Sequence, residues 1–444
     1  MTFRHDILPL RPVSLHLAVR FCRQIRYSDP GIGDTPPSCH HDHSIRPTHM
    51  ARPGTPPGPH LVGPASPASK ACPGMHQNVS PATPETLPAA PSENPRPDFI
   101  TRLFLSFMNR RSTRATHSGA KHLLHRPAEP DHLETLARLR KAANRPSFPM
   151  GLSALPVRRV INLRVPGATE LRPARLYIPY GKVRGAVLFL HGGGYVHCGL
   201  NSHHGICCRL ARASGAAILS FDYRLAPENK FPDAFNDSLA ALNWLATEAW
   251  RWGGKVAVAG DSAGGTLSAA LAQHVRDENR RARENQNADE NQYSSENQPG
   301  TPATKPFPAD LAFQVLIYPA THGEMTFPSR KAFARGYFLT MGMLEWYALQ
   351  YVRTIADVAS PIFSPGLHPD LKDLAPALIV TAEFDPLRDE AALYAEDLRK
   401  AGVPVTYLCV PGTVHAFLNF YPVMWKGKRV LRLAGAALRK AFSE

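Results

Sequence analysis

The chain has 444 residues, 43% of them hydrophobic and 20% charged, with a formal net charge of +15 at pH 7. That length suits one large domain or about two or three small ones, and the apolar share is ordinary for a globular protein. A basic chain can point to nucleic acid or an anionic membrane, but no nucleic-acid module, zinc spacing or RNA-binding aromatic motif accompanies the charge, so no nucleic-acid partner is expected.

No run approaches the ~18 apolar residues of a membrane-spanning helix, so no integral membrane association is expected. The stretch Leu8-Pro9-Leu10-Arg11-Pro12-Val13 lacks the continuous apolar core of a secretory signal. The seven cysteines are an odd number, and the adjacent Cys207 and Cys208 cannot easily bridge each other. No disulfide framework emerges, which points to a reducing, cytoplasmic compartment.

Residues 1–98 hold nearly half of the 43 prolines, with Arg, His, Gly and Ser scattered among them. Such a segment cannot bury enough apolar surface to offset its ordering entropy, so it reads as a disordered arm. Met50, Met75 and Met108 leave open a later start, in which case part of the arm is absent from the native protein. The tract Cys39-His40-His41-Asp42-His43 has no second ligand pair at zinc-site spacing, and no metal is assigned to it.

Residues 99–150 read as helical. Phe99, Ile100, Leu103, Phe104, Phe107 and Met108 recur at helical spacing, as do Leu133, Leu136, Leu139 and Ala143. The two helices serve either as core packing or as a cap over a site.

From about residue 157 short apolar strands alternate with helical stretches. The strands read as 160–165, 174–179, 186–190, 216–220, 256–258, 314–318, 377–381 and 405–409. This is the pattern of an α/β protein with a mostly parallel sheet covered on both faces. The stretch 276–306, dense in Asn, Gln, Glu and Arg, reads as a mobile polar insertion. A helix-like stretch within 320–355, with Trp346 and Tyr347, falls between two strands where a second cap segment fits.

The most informative segment is Gly260-Asp261-Ser262-Ala263-Gly264-Gly265, set between an apolar strand and a helix. A G-x-S-x-G at such a junction is the pattern of a nucleophile elbow. A serine hydroxyl is a weak nucleophile unless a base takes its proton and a third group orients that base. Asp385 follows the strand that ends at Thr381, and His415 lies on the loop after the last strand. Both therefore fall at carboxyl ends of strands, on the same edge as Ser262. Asp385 taken alone reads better as a cap of the next helix. Asp389 and Glu390 read as helix-dipole and surface charges. His191-Gly192-Gly193-Gly194 follows the strand at 186–190, and backbone N–H groups of Gly193, Gly194 and Ala263 would form an oxyanion hole. His191 reads as a brace for this loop. Arg224 and Glu228 read as a polar network beneath the active-site loops.

With these motifs, and with Asp222-Tyr223-Arg224-Leu225-Ala226-Pro227-Glu228, Phe231-Pro232, Ser360-Pro361, Asp385-Pro386-Leu387-Arg388-Asp389-Glu390 and His415-Ala416-Phe417, the chain resembles the hormone-sensitive lipase family of α/β-hydrolases. The resemblance spans roughly residues 150–440. It implies an eight-stranded, mostly parallel sheet with helices on both faces and a helical cap, and a catalytic domain over 151–444. It implies a serine carboxylesterase that needs no cofactor and no metal. A homodimer is plausible on the resemblance only. The triad would be Ser262, Asp385 and His415, acting on a small-molecule ester of short to medium acyl chain. Phe99, Phe104, Trp346 and Tyr347 are candidate pocket residues. Ala416 stands where the family often has glycine. A non-catalytic receptor on the same fold, and an amidase or transacylase with the same triad, are the competing readings.

Overall fold

The computed structural model describes residues 96–115, 130–144, 154–292, 307–323 and 326–444. The expectations for residues 1–95, including the start site and the Cys39–His43 tract, lie outside these.

Eight strands form one sheet: β1 (Arg159–Pro166), β2 (Leu171–Ile178), β3 (Ala186–Leu190), β4 (Ala217–Phe221), β5 (Val256–Asp261), β6 (Leu311–Ile317), β7 (Ala377–Phe384) and β8 (Val405–Val414), in the spatial order β1-β2-β4-β3-β5-β6-β7-β8. β1 and β2 pair antiparallel, as do β2 and β4, while every pair from β4 to β8 is parallel. All residues of β3, β4 and β5 are buried, as a parallel strand covered on both faces requires.

The described helices, in chain order, are α1 (Phe99–Ala115), α2 (Pro130–Ala143), α3 (His204–Ser214), α4 (Asp233–Glu248), α5 (Ala263–Gln292), α6 (Pro328–Ala332), α7 (Met341–Tyr351), α8 (Ala356–Ala359), α9 (Arg388–Lys400) and α10 (Lys426–Ala441). Because strand side chains alternate, the sheet makes a separate core on each face. Val187, Phe189, Ala257, Ala259, Val315 and Val380 face α3 and α10. Ala186, Leu188, Leu190, Val256 and Val258 face α4 and α5. Ala377 and Ile379 pack with Leu398 and Tyr394 of α9.

Three sequence expectations change. Residues 276–292 do not begin a mobile insertion but extend α5 to Gln292. Polar residues on this helix bind other polar groups: the Arg276 guanidinium donates to the carbonyls of Lys372 and Asp370, and Asn279 donates to Asp310 at 2.6 Å. Composition reads this stretch as solvated because the acceptors lie 31 to 96 residues away. Residues 293–306 lie outside the described residues. β8 also runs further than expected, through Pro411 and Gly412 to Val414, because a register shift against β7 accommodates the extra residues.

Glu390 is the second correction among charged residues. It is fully buried rather than a surface charge. Its Oε2 accepts from Arg330 Nε at 2.8 Å and its Oε1 from the Thr321 N–H at 2.8 Å. Asp389 accepts from the Ser329 N–H at 2.8 Å. The pair thus fastens α6 to the start of α9. Removing one partner of a buried ion pair is costly. Glu390→Ala is expected to lower unfolding free energy by about 3 kcal/mol, measured by urea unfolding.

Candidate functional site

Ser262 stands between the last residue of β5 and the first of α5, with φ of 53°. A non-glycine residue reaches that left-handed region only where its surroundings hold it there. Ser262 N–H donates to the Ile317 carbonyl at 2.8 Å, and the Thr266 N–H donates to the Ser262 carbonyl at 3.0 Å. The turn closes only because Gly260 and Gly264 lack side chains. A Cβ on Gly260 would lie 2.2 Å from the Gly264 oxygen, and one on Gly264 would lie 2.0 Å from the Leu190 oxygen.

His415 follows the end of β8 directly and is nearly buried. Its Nε2 lies 2.9 Å from Ser262 Oγ and its Nδ1 lies 2.7 Å from Asp385 Oδ2. Asp385 is fully buried. Its other oxygen, Oδ1, accepts from the Leu387 N–H at 2.9 Å. Of the two readings of Asp385, the contact to histidine is made, while the helix cap is not: Leu387 holds the N-cap position of α9 with no side-chain cap, and Oδ1 instead closes a turn onto the Leu387 N–H. Ala416 adopts φ of 62°, which explains why glycine suits that position.

The glycine loop after β3 is anchored from below. Gly192 N–H donates to Asp261 Oδ1 at 3.0 Å, and His203 Nε2 lies 3.0 Å from the same oxygen. Burial pushes the Asp261 carboxyl up, but the His203 ring and the Gly192 N–H outweigh it and hold it below the usual value. His191 braces the loop as expected: its ring stacks on Tyr223 at 4.3 Å, and the Tyr223 hydroxyl donates to the His191 carbonyl at 2.7 Å. Burial, helped by the nearby His203 ring, holds His191 down to about 3, so it is neutral at working pH. Gly193 and Gly194 have φ of 114° and 59°. Among the described residues, none accepts a hydrogen bond from the N–H of Gly193, Gly194 or Ala263, which leaves these donors available.

Two contacts from helices outside the sheet's own connections, which the sequence did not disclose, converge on this loop. Arg140 of α2 donates to the Val196 carbonyl at 2.8 Å and the Ala226 carbonyl at 2.7 Å, and pairs with both oxygens of Glu228. Tyr347 of α7 lies against Gly194 and meets His197 Nε2 at 2.7 Å. The signal for Glu228 was present in the motif and Tyr347 was a pocket candidate, but its contact with His197 and the role of Arg140 had no signal in the chain. Arg224 forks onto buried Asp237 at 2.8 and 2.9 Å, the polar network expected of it. Of the other pocket candidates, Phe99 is exposed, Phe104 packs on Phe420, and Trp346 is buried. Among the described residues no cluster suited to a metal ion is present, and no described helix is long and apolar enough to cross a membrane.

A serine elbow, a histidine and a buried aspartate on the carboxyl edge of one mostly parallel sheet define an α/β-type hydrolase. The comparisons agree. A family profile described as alpha/beta hydrolase fold matches residues 187–419, just over half of the chain. The chain is 35% identical over 275 residues to an ethyl acetate hydrolase of Pseudomonas putida, covering 60% of this chain and 78% of that protein. It is 32% identical over 275 residues to an arylesterase of Saccharolobus solfataricus, covering 61% and 79%. A solved esterase from Pyrobaculum calidifontis superposes with a TM-score of 0.63 at 33% identity, over 78% of this chain and 98% of that one. The chain belongs to the α/β-hydrolase family, in its hormone-sensitive lipase branch, and is a carboxylesterase.

Asp222, beside the His191 ring at 3.8 Å, offers a pH test. Burial raises its carboxyl to about 6 against the opposing charges of Arg172 and Arg175. The folded chain therefore holds a proton there, between the usual value of 3.8 and about 6, that the unfolded chain has released. That contribution favours the fold at low pH and is lost as pH rises through 6. Asp222→Asn should thus gain stability relative to the wild type between pH 4 and pH 7, read by urea unfolding at both.

Proposed function

We propose that this carboxylesterase works through an acyl-enzyme on Ser262 and takes esters of short to medium acyl chain. The observation that carries the reading is the unbroken line from Ser262 Oγ through His415 to Asp385, at 2.9 and 2.7 Å. His415 Nε2 takes the hydroxyl proton as Ser262 attacks the ester carbonyl. Asp385 holds the ring by Nδ1 and stabilises the imidazolium that forms. The N–H groups of Gly193, Gly194 and Ala263 receive the negative oxygen of the tetrahedral intermediate. His415 then gives its proton to the leaving alcohol. Water, deprotonated by the same nitrogen, attacks the acyl carbon, and the acid departs as Ser262 regains its proton.

The helices in 99–150 and the segment near 320–355 form the cap. Arg140 and Tyr347 support this assignment, because each reaches the glycine loop from one of those segments. Short relatives' substrates, such as the one named for the Pseudomonas enzyme, support the acyl range. A cytoplasmic, homodimeric enzyme without a nucleic-acid partner completes the proposal. The free thiols of Cys198, Cys207, Cys208 and Cys409 support the compartment, and family resemblance supports the dimer.

A p-nitrophenyl ester series from acetate to palmitate tests both halves. Turnover should peak among the shorter acyl groups, with no jump above the solubility limit of the long ones. Ser262→Ala should lose activity by at least about 10⁴-fold, and Asp385→Asn by about 10³–10⁴-fold. Retained activity in Ser262→Ala would remove the mechanism.

A further inference from the structure

We propose that Tyr347 is a positioning residue of the oxyanion hole, so that the seating of α7 sets turnover. The inference rests on the Ser262 mechanism above and adds a residue to it.

The glycine loop has little of its own to hold its shape. Beyond the Gly192 anchor, the N–H groups of Gly193 and Gly194 must stay unpaired to meet the developing oxyanion, so they cannot also lock the loop. The loop is closed instead by carbonyl acceptance: the Gly193 oxygen receives the Val196 N–H at 3.0 Å and the His197 N–H at 3.2 Å. His197 is therefore part of the turn that sets the Gly193 and Gly194 peptides. A Cβ on Gly193 would lie 2.2 Å from the His197 oxygen, so the two residues are in close backbone contact.

Tyr347 holds this turn in two ways. Its hydroxyl meets His197 Nε2 at 2.7 Å, and the two rings lie 5.5 Å apart. Its ring also fills the space that a side chain on Gly194 would occupy, since a Cβ there would lie 2.3 Å from the ring. Burial, with the charges of His203 and Arg140, keeps His197 below its usual value. The pair thus meets as neutral groups, which suits a hydrogen bond of fixed direction.

The geometry makes a separable prediction. A residue that only binds substrate changes KM, whereas one that places oxyanion donors changes kcat and the binding of a tetrahedral mimic. Tyr347→Phe keeps the ring and removes the hydroxyl. Its kcat on p-nitrophenyl butyrate should fall about fivefold to tenfold, the worth of one hydrogen bond, with KM within about twofold. Its affinity for an alkyl trifluoromethyl ketone, which adds Ser262 to give a tetrahedral oxyanion, should fall by the same factor. His197→Ala should lose a similar amount, and Tyr347→Phe added to it should cost nothing further, as expected of one coupled pair. Thermal unfolding of each variant accompanies the kinetics.

A Tyr347→Phe enzyme with wild-type kcat and ketone affinity overturns the inference, and so does a loss confined to KM. Additive losses in the double variant overturn it too. Ser262→Ala in the same assay separates the two levels. If it abolishes activity while Tyr347→Phe behaves as wild type, only the role of Tyr347 falls. If it retains activity, the underlying mechanism falls first.

Discussion

The structure turns on a contact between backbones. Gly260, Gly264 and Leu190 approach so closely that a single methyl group at either glycine has no room. This approach brings β3, β5 and the first turn of α5 together at one point. It forces Ser262 into the left-handed region and lifts its side chain out of the sheet edge. It also fixes the end of β3, from which the glycine loop departs. Ser262 and the root of the glycine loop are thus placed by the same contact. Neither can be moved without the other.

Beneath that contact sits a buried carboxylate. Asp261 is the last residue of β5, and it receives the first peptide of the glycine loop and the ring of His203. A charge in that position is tolerable because hydrogen-bond donors surround it before any substrate arrives. The arrangement costs no reorganisation during reaction. Above the loop, the two helical segments outside the sheet supply the remaining restraint through Arg140 and Tyr347. The loop is therefore fixed at its root by the sheet and along its length by α2 and α7.

The placement of the candidate site residues was legible in the chain because each is a distinctive residue that follows a strand. Ser262, Asp385, His415 and the glycine run all follow that rule, and all eight strands appear where apolar runs predict them. What was not legible depends on partners far away. Glu390 reads as a surface charge until Arg330 is placed against it. Arg276 and Asn279 read as solvated until residues 310 and 370–372 supply acceptors. The last strand reads as ending at residue 409 because only the register against β7 shows that it continues. Arg140, His203 and Tyr347 have no local signature, since their importance lies in what they touch.

The fastening of α6 to α9 bears on how such an enzyme can diversify. Ser329 and Arg330 belong to the inserted segment, while Asp389 and Glu390 open the helix that follows the acid loop. Residues 329 and 330 are thus riveted to the strip of chain that carries Asp385. A segment spanning residues 328–351 cannot be exchanged with that of a relative as a free-standing module. The graft must bring residues 389 and 390 with it, or match them, if the recombined protein is to keep Asp385 undisturbed.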